Sequence, residues 1–308
     1  MDSRIITAEN ISVSSAELQE LMDMLGDTSI ATELEEVDLR QRPQEPESQE
    51  QTIEPLVQEA PVNDGSMIPE KAVTHLLDES VSRFSSADWF QEVQSRTVTL
   101  AGLGGIGSWT ALLLARLKPN SLTLYDFDRV DVVNMAGQLF CTEDVNISKV
   151  SAVNRLINRY GSYYHVVGME EAVTQDSDID KVTICGFDNM AARKALFTRW
   201  KSLYKGDHDA LFIDGRLSAE EFQVFCITGK DLFLMKKYEE NWLFEDKEAE
   251  ATLCSYKQTS FCANMIASVM VNLFVNFITN LCDPVIPRAL PFMTSYDAST
   301  MMFRTIMQ

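Results

Sequence analysis

The sequence predicts an α/β protein: a Rossmann-like, doubly wound parallel sheet extended by antiparallel strands, with an acidic, largely disordered N-terminal tail. Three observations lead there. The apolar run Val98 to Ala101 feeds a glycine cluster, Gly102-Leu-Gly104-Gly105-Ile-Gly107-Ser108, that opens a helical pattern. Strand-like and helix-like runs then alternate as far as Gly215, the pattern of parallel strands joined by right-handed crossovers. Beyond that point three apolar runs, 222–228, 291–296 and 301–306, read as hairpin-type strands added to the same sheet.

Taken in order, residues 1–70 form the tail and 71–308 the folded domain. The tail holds 17 Asp and Glu against three Arg, and so most of the chain's net charge of −20. Its stretch from Pro43 to Pro61 is rich in Pro, Gln and Glu and offers too little apolar surface to offset the entropy of ordering. Ahead of it, Leu18, Leu21, Met22 and Leu25 share one helical face behind Ser14 and Ser15, either a docking helix for a partner or a transient turn in a solvated tail. From about Ile68 to Phe90 the apolar spacing is again helical.

Within the body, Trp109 to Leu117 is a helix that Pro119-Asn120 stops, and Leu122 to Tyr125 is the second strand. Ser148 to Tyr160 places Val150, Val153, Leu156 and Ile157 on one helical face. His165 to Val167 and Val182 to Cys185 are the third and fourth strands, a helix runs on to Trp200, and Leu211 to Ile213 is a fifth strand ending at Asp214-Gly215. The uncharged stretch Gln258 to Cys282 is long enough to span a bilayer. Its Asn264, Ser268, Asn272, Asn276 and Asn280 nonetheless draw a polar line down one face, which suits a helix packed on the sheet or at a subunit contact rather than a membrane span.

Composition narrows the function. Acidity without a basic patch disfavours nucleic acid. Six scattered cysteines with no C-x-x-C pair, and no secretory leader ahead of them, read as a reducing, cytoplasmic setting without a thiolate zinc site. The glycine cluster permits a tight turn and a close approach of phosphates to bare backbone at a helix N-terminus. Asp126, nineteen residues past Gly107, falls where a carboxylate meets a ribose hydroxyl in a dinucleotide-type βαβ unit. Nucleotide binding by Gly102, Gly104, Gly105, Gly107, Ser108, Asp126 and Asp128 is therefore expected; a bare structural turn is the plainer alternative.

After the second strand comes Asp126-Phe-Asp128-Arg-Val130-Asp-Val-Val-Asn134-Met-Ala-Gly137-Gln138, with Lys149 further on and Asp188-Asn189 after the fourth strand. With the glycines, this ordered set closely resembles the ThiF-type adenylyltransferases, the superfamily of ubiquitin-activating-like enzymes, from about Arg83 to the C-terminus. The resemblance implies a homodimer that uses ATP and magnesium to adenylate the C-terminal carboxylate of a small ubiquitin-like or sulfur-carrier protein or peptide. It assigns the ribose to Asp126, the phosphates to Asn134 and Lys149, and magnesium to Asp188. Arg83 matches an arginine reaching toward the phosphates from a neighbouring subunit, and Cys254 lies close to where some relatives carry a thioester-forming cysteine. Plainer readings stand beside each: strand-end caps for Asp126 and Asp188, a turn for Asn134, a solvated charge for Lys149, a surface residue for Arg83, a structural thiol for Cys254.

Two positions depart from the pattern. Gly137 stands where the family usually carries an arginine, and Ser86 where a second arginine is common, so two phosphate cations are missing from their expected places. Two alternatives follow: a nucleotide-binding adaptor of the same fold without chemistry, and an NAD-dependent oxidoreductase, since Asp126 suits an adenosine ribose in either case.

Overall fold

The computed structural model describes residues 81, 83–244, 258–283 and 285–307. The tail, its helical segment at Leu18 to Leu25, most of the stretch following Ile68, and Cys254 lie outside the described residues. After a short helix α1 (Phe90–Ser95), β1 (Thr97–Ala101) leads through the glycine cluster into α2 (Gly105–Leu117), followed by β2 (Ser121–Tyr125), α3 (Lys149–Gly161) and β3 (Val166–Met169). Then come β4 (Val182–Cys185), α4 (Met190–Tyr204), β5 (Leu211–Ser218), β6 (Glu221–Thr228), α5 (Leu232–Trp242), α6 (Ser260–Cys282), β7 (Met293–Asp297) and β8 (Met302–Ile306).

These eight strands make one sheet in the order β3-β2-β1-β4-β5-β6-β7-β8. The first five are parallel and the last three antiparallel, which is the predicted fold class. Local chemistry explains the boundaries. Ser148, Asn189 and Asp231 each cap a helix by accepting a backbone N–H three residues on, at 3.1, 2.8 and 3.0 Å. Lys118 ends α2 in the left-handed conformation, φ 58°, immediately before Pro119.

Alternation along the strands divides the core. Val98, Leu100, Leu122, Leu124, Ile184 and Ile213 face α2, α3 and α6, whereas Ala101, Tyr125, Cys185, Phe212 and Phe225 belong to the cluster with α4 and α5. Helix α6 is long and apolar enough to cross a membrane. Here it is a core helix, packed against α2, β5 and β6. Two members of its polar line are spent on the chain that follows: Asn276 donates to Ala289 O at 3.0 Å, and Asn280 donates to Arg288 O at 2.9 Å while accepting from Arg288 N at 2.6 Å.

One expected boundary moves. The fifth strand does not end at Asp214-Gly215 but continues to Ser218 and turns directly into β6. Asp214 is held between the buried Arg193 and the partly exposed Arg216, and a Cβ on Gly215 would stand 2.6 Å from Met270 Sδ of α6. Residues that read as a turn are mid-strand because partners distant in sequence demand them there.

Candidate nucleotide and acyl-transfer site

The strand register places the site. Ala101 pairs with both Tyr125 and Cys185, and Cys185 pairs with Asp214, so β1, β2, β4 and β5 finish their shared ladder at one level. The chain leaves β1 toward β2 on one side and returns at β4 on the other, so the crevice outside these carboxyl ends lies at a topological switch point, where open α/β sheets bind ligands. A cavity of about 300 Å³ lies there, bordered by Gly102, Gly104, Gly105, Asp126, Lys149 and Asp188.

Asp126 is 7% exposed, and both its oxygens are engaged: Leu103 N donates to one at 2.7 Å and Asp128 N to the other at 2.8 Å. A carboxylate offers about four acceptor positions, so two remain for ribose hydroxyls. Burial pushes its pKa above the ordinary carboxylate value, against the backbone hydrogen bond from Leu103 and the charge of Lys149. Lys149 Nζ donates to Asp128 Oδ2 at 2.8 Å and lies at the cavity wall, with further N–H donors for a phosphate. Asp188 is exposed at the rim, beside Asn189.

Other expected residues are placed differently. Asn134 does not border the cavity; its Oδ1 accepts from Asp131 N at 2.9 Å in a one-turn 3₁₀ helix, which leaves its amide N–H groups as donors. Gly107 and Ser108 are buried in the first turn of α2, where Ser108 Oγ accepts from Leu139 N at 3.0 Å; they shape the loop rather than line the cavity. Arg83 is exposed and away from this cavity. None of the five described cysteines borders the crevice; burial raises Cys185 and Cys226 to about 12, and hydrogen bonds to Glu143 and Asp144 raise Cys141 to about 11.

For magnesium, no group of three or more His, Cys, Asp or Glu among the described residues could hold a metal. Asp188 alone does suit a magnesium that keeps its waters and takes its remaining ligands from bound phosphates.

Three participants escaped the sequence. Gln258 places its side chain between two glycines: a Cβ on Gly105 would stand 2.1 Å from Gln258 Oε1, and one on Gly137 2.9 Å from its Cγ and Nε2. The place of the family arginine is therefore already occupied. Arg193 and Arg216 bracket Asp214, with Nε···Oδ distances of 2.7 and 2.8 Å, and both border the cavity. Arg216 lies within β5, two residues past Asp214, where β5 outruns the parallel ladder it shares with β4; it therefore stands near the level at which Asp126 and Asp188 follow β2 and β4, and that shared level is the signal that could have found it. Gln258 touches its glycines only through the fold and leaves no local signal.

Comparison with known proteins gives a family and a shared fold. The ThiF family model matches residues 78–308. Among curated relatives, ubiquitin-like modifier-activating enzyme 5 of Aedes aegypti is 25% identical over 142 residues, 40% of this chain and 36% of that protein. Its Drosophila persimilis counterpart is 35% identical over 68 residues, 22% of this chain and 18% of that one. The match thus spans about a third or less of these relatives. Among solved structures, E. coli MccB with MccA-N7isoASN has a TM-score of 0.55 at 13% identity, covering 74% of this chain and 71% of that one. The E. coli tRNA N6-threonylcarbamoyladenosine dehydratase in complex with ATP has a TM-score of 0.54 at 15% identity, covering 71% and 100%. At such identities the structures share the fold.

Proposed function

The chain belongs to the ThiF family, and on that premise we propose that it adenylates a carboxylate with ATP, the acceptor being the C-terminus of a small ubiquitin-like or sulfur-carrier protein or a peptide. The observation that carries this reading is the meeting of the glycine loop, Asp126, Lys149 and Asp188 in one crevice at the switch point. Asp126 would take the ribose, and the backbone at Gly104 and Gly105, with the N-terminus of α2, the phosphates. In the step, a carboxylate oxygen bonds to the α-phosphorus and the bond to the bridging oxygen breaks. Pyrophosphate leaves with that electron pair and no proton need move. Magnesium, held by Asp188 and the phosphates, would supply counter-charge.

One relative supports an acceptor of this kind, being named as an activating enzyme of a ubiquitin-like modifier. Family membership favours adenylation over hydride transfer. The reading extends to a homodimer in which Arg83 serves the neighbouring site, to Cys254 as an acyl acceptor, and to a cytoplasmic setting. ATP–pyrophosphate exchange, with magnesium and candidate small proteins, tests it; ATP binding without exchange in every case would leave the adaptor.

Replacing Asp126 by Ala is expected to weaken ATP binding by roughly 10- to 100-fold, the loss of one or two hydrogen bonds to a charged acceptor. Titration calorimetry checks it, and an unchanged affinity would make Asp126 a loop cap only.

Gly137→Arg is expected to give no gain in ATP affinity by itself. Its Cβ lands 2.9 Å from Gln258, whose amide oxygen is confined on the other side by Gly105. The paired change Gly137→Arg with Gln258→Ala empties that space, and a charge-assisted contact to the phosphates should then tighten ATP by about tenfold or more. The comparison is between single and double variants at equal magnesium and salt. A single variant that already binds more tightly would show that Gln258 yields freely.

A further inference from the structure

A second, larger cavity of about 580 Å³ lies over the antiparallel strands, and it shares Arg216, Leu217 and Phe244 with the nucleotide crevice. Arg216 is therefore the charged side chain common to both spaces. Its own surroundings carry an imbalance. Asp214 is fully buried and its one negative charge serves two guanidinium groups, Arg193 through Oδ1 and Arg216 through Oδ2. Tyr238 adds no charge; its hydroxyl donates to Asp214 Oδ2 at 2.8 Å, and burial holds it protonated.

One positive charge is left over, and the geometry decides where it faces. The Arg193 side chain is 6% exposed, and its Nη2 donates to Phe187 O at 2.7 Å and Gly215 O at 3.1 Å, so with Nε on Asp214 three of its five donors are spent inside the fold. Arg216 spends Nε on Asp214 and one Nη2 hydrogen on the Tyr238 hydroxyl at 3.3 Å. Its guanidinium carbon lies 4.6 Å from the Phe225 ring centre and 5.6 and 5.9 Å from those of Tyr238 and Phe244. Nη1 makes no hydrogen bond among the described residues, and the side chain is 14% exposed. A largely buried cation with half its counter-charge and donors left over is stabilised by an anion.

We infer that Arg216 binds the anion at the junction of the two cavities, the α-phosphate of the nucleotide where the acceptor carboxylate meets it. This rests on the adenylation reading. Two anions must meet there, and a planar guanidinium at the border can bridge a phosphate oxygen and a carboxylate oxygen at once. Arg216 thus supplies from β5 a cation of the kind that Gly137 does not.

Adenosine and AMP differ by that phosphate, so the ratio of their dissociation constants reads the contact without any acceptor. Binding would be measured for the full chain and for Arg216→Gln, which keeps a donor for Asp214 and loses the charge, and Arg216→Lys, which keeps the charge. Circular dichroism and melting curves would accompany each. AMP should bind the wild type more tightly than adenosine; the preference should fall by roughly 10- to 100-fold in Arg216→Gln and recover in part in Arg216→Lys, and ATP should lose the same factor as AMP. A preference that survives in folded Arg216→Gln overturns the inference and leaves the function standing. So does a loss confined to ATP, which would place the arginine at the outer phosphates, and so does a wild type that binds both ligands equally. A wild type that binds neither nucleotide overturns the functional reading and this inference together.

Discussion

Gly107→Ala is expected to destabilise the folded domain by at least about 3 kcal/mol, a fall in melting temperature of roughly 6–12 °C, and to abolish nucleotide binding. The cause is a contact no side chain can relieve. A Cβ at Gly107 would stand 1.8 Å from Gly102 O and 2.8 Å from Gly102 C, both backbone atoms. Gly102 cannot retreat: its φ is +87°, its N–H donates to Tyr125 O at 2.9 Å, and Gly186 closes the other side with its carbonyl carbon 2.8 Å from where a Cβ of Gly102 would lie. Moving the loop would break the approach of α2 to the ends of β1 and β4 that shapes the crevice. Urea unfolding with an ATP titration measures both effects. A variant with near wild-type stability and ATP affinity would show that α2 can slide away from the loop.

Asp214→Asn is expected to cost about 3–5 kcal/mol, the usual penalty for leaving buried charge without its partner. The two guanidinium groups would then share a neutral amide, and at least one oxygen acceptor for Arg193, Arg216 or the Tyr238 hydroxyl would be lost. Its pH dependence makes the origin identifiable. Burial alone would raise the Asp214 pKa, but the charges of Arg193 and Arg216 prevail and hold it below the ordinary value. A depressed carboxyl contributes stability that is fully present above the unfolded pKa, near 3.9, and is lost as the pH falls through the lower folded value. The difference between wild type and Asp214→Asn should therefore be constant around neutrality and shrink below about pH 4. A difference that persists unchanged at pH 2 would assign the loss to packing.

Much of this was legible before the structure because the parallel half is written in local terms. Short apolar strands, amphipathic crossover helices and capping residues such as Ser148 and Asn189 are properties of neighbouring residues, and Val182 to Cys185 is matched to the residue. That Asp126, Lys149 and Asp188 would border one crevice was legible for the same reason, since each stands at a fixed offset from the end of a strand or the start of a helix. What was missed depends on contacts across the fold. Helix α5 went unread because its apolar residues open as one unbroken run, Leu232 to Met235, of which Leu232 and Phe233 are exposed, so the helical period is blurred. The extension of β5 through Asp214 and Gly215 depends on Arg193 from α4 and Met270 from α6, which lie 21 and 55 positions away from them. Asn134 has a local role that the motif did not announce: its amide oxygen closes the turn at Asp131, which leaves its two N–H donors for the phosphate contact the motif suggested.

The position of Gln258 makes the protein its own competitor. Its amide oxygen lies against Gly105, at the head of a 13-residue helix and beside the backbone donors that phosphates are expected to use. An anion binding there would share that space with Gln258 or displace its side chain. The apparent dissociation constant then equals the intrinsic constant divided by the fraction of molecules in which the side chain has withdrawn. On the proposed reading nucleotide affinity would accordingly be set by two equilibria, one with the solvent-borne ligand and one with a residue of the same polypeptide, and a change at position 258 would shift it without touching any group that contacts the nucleotide.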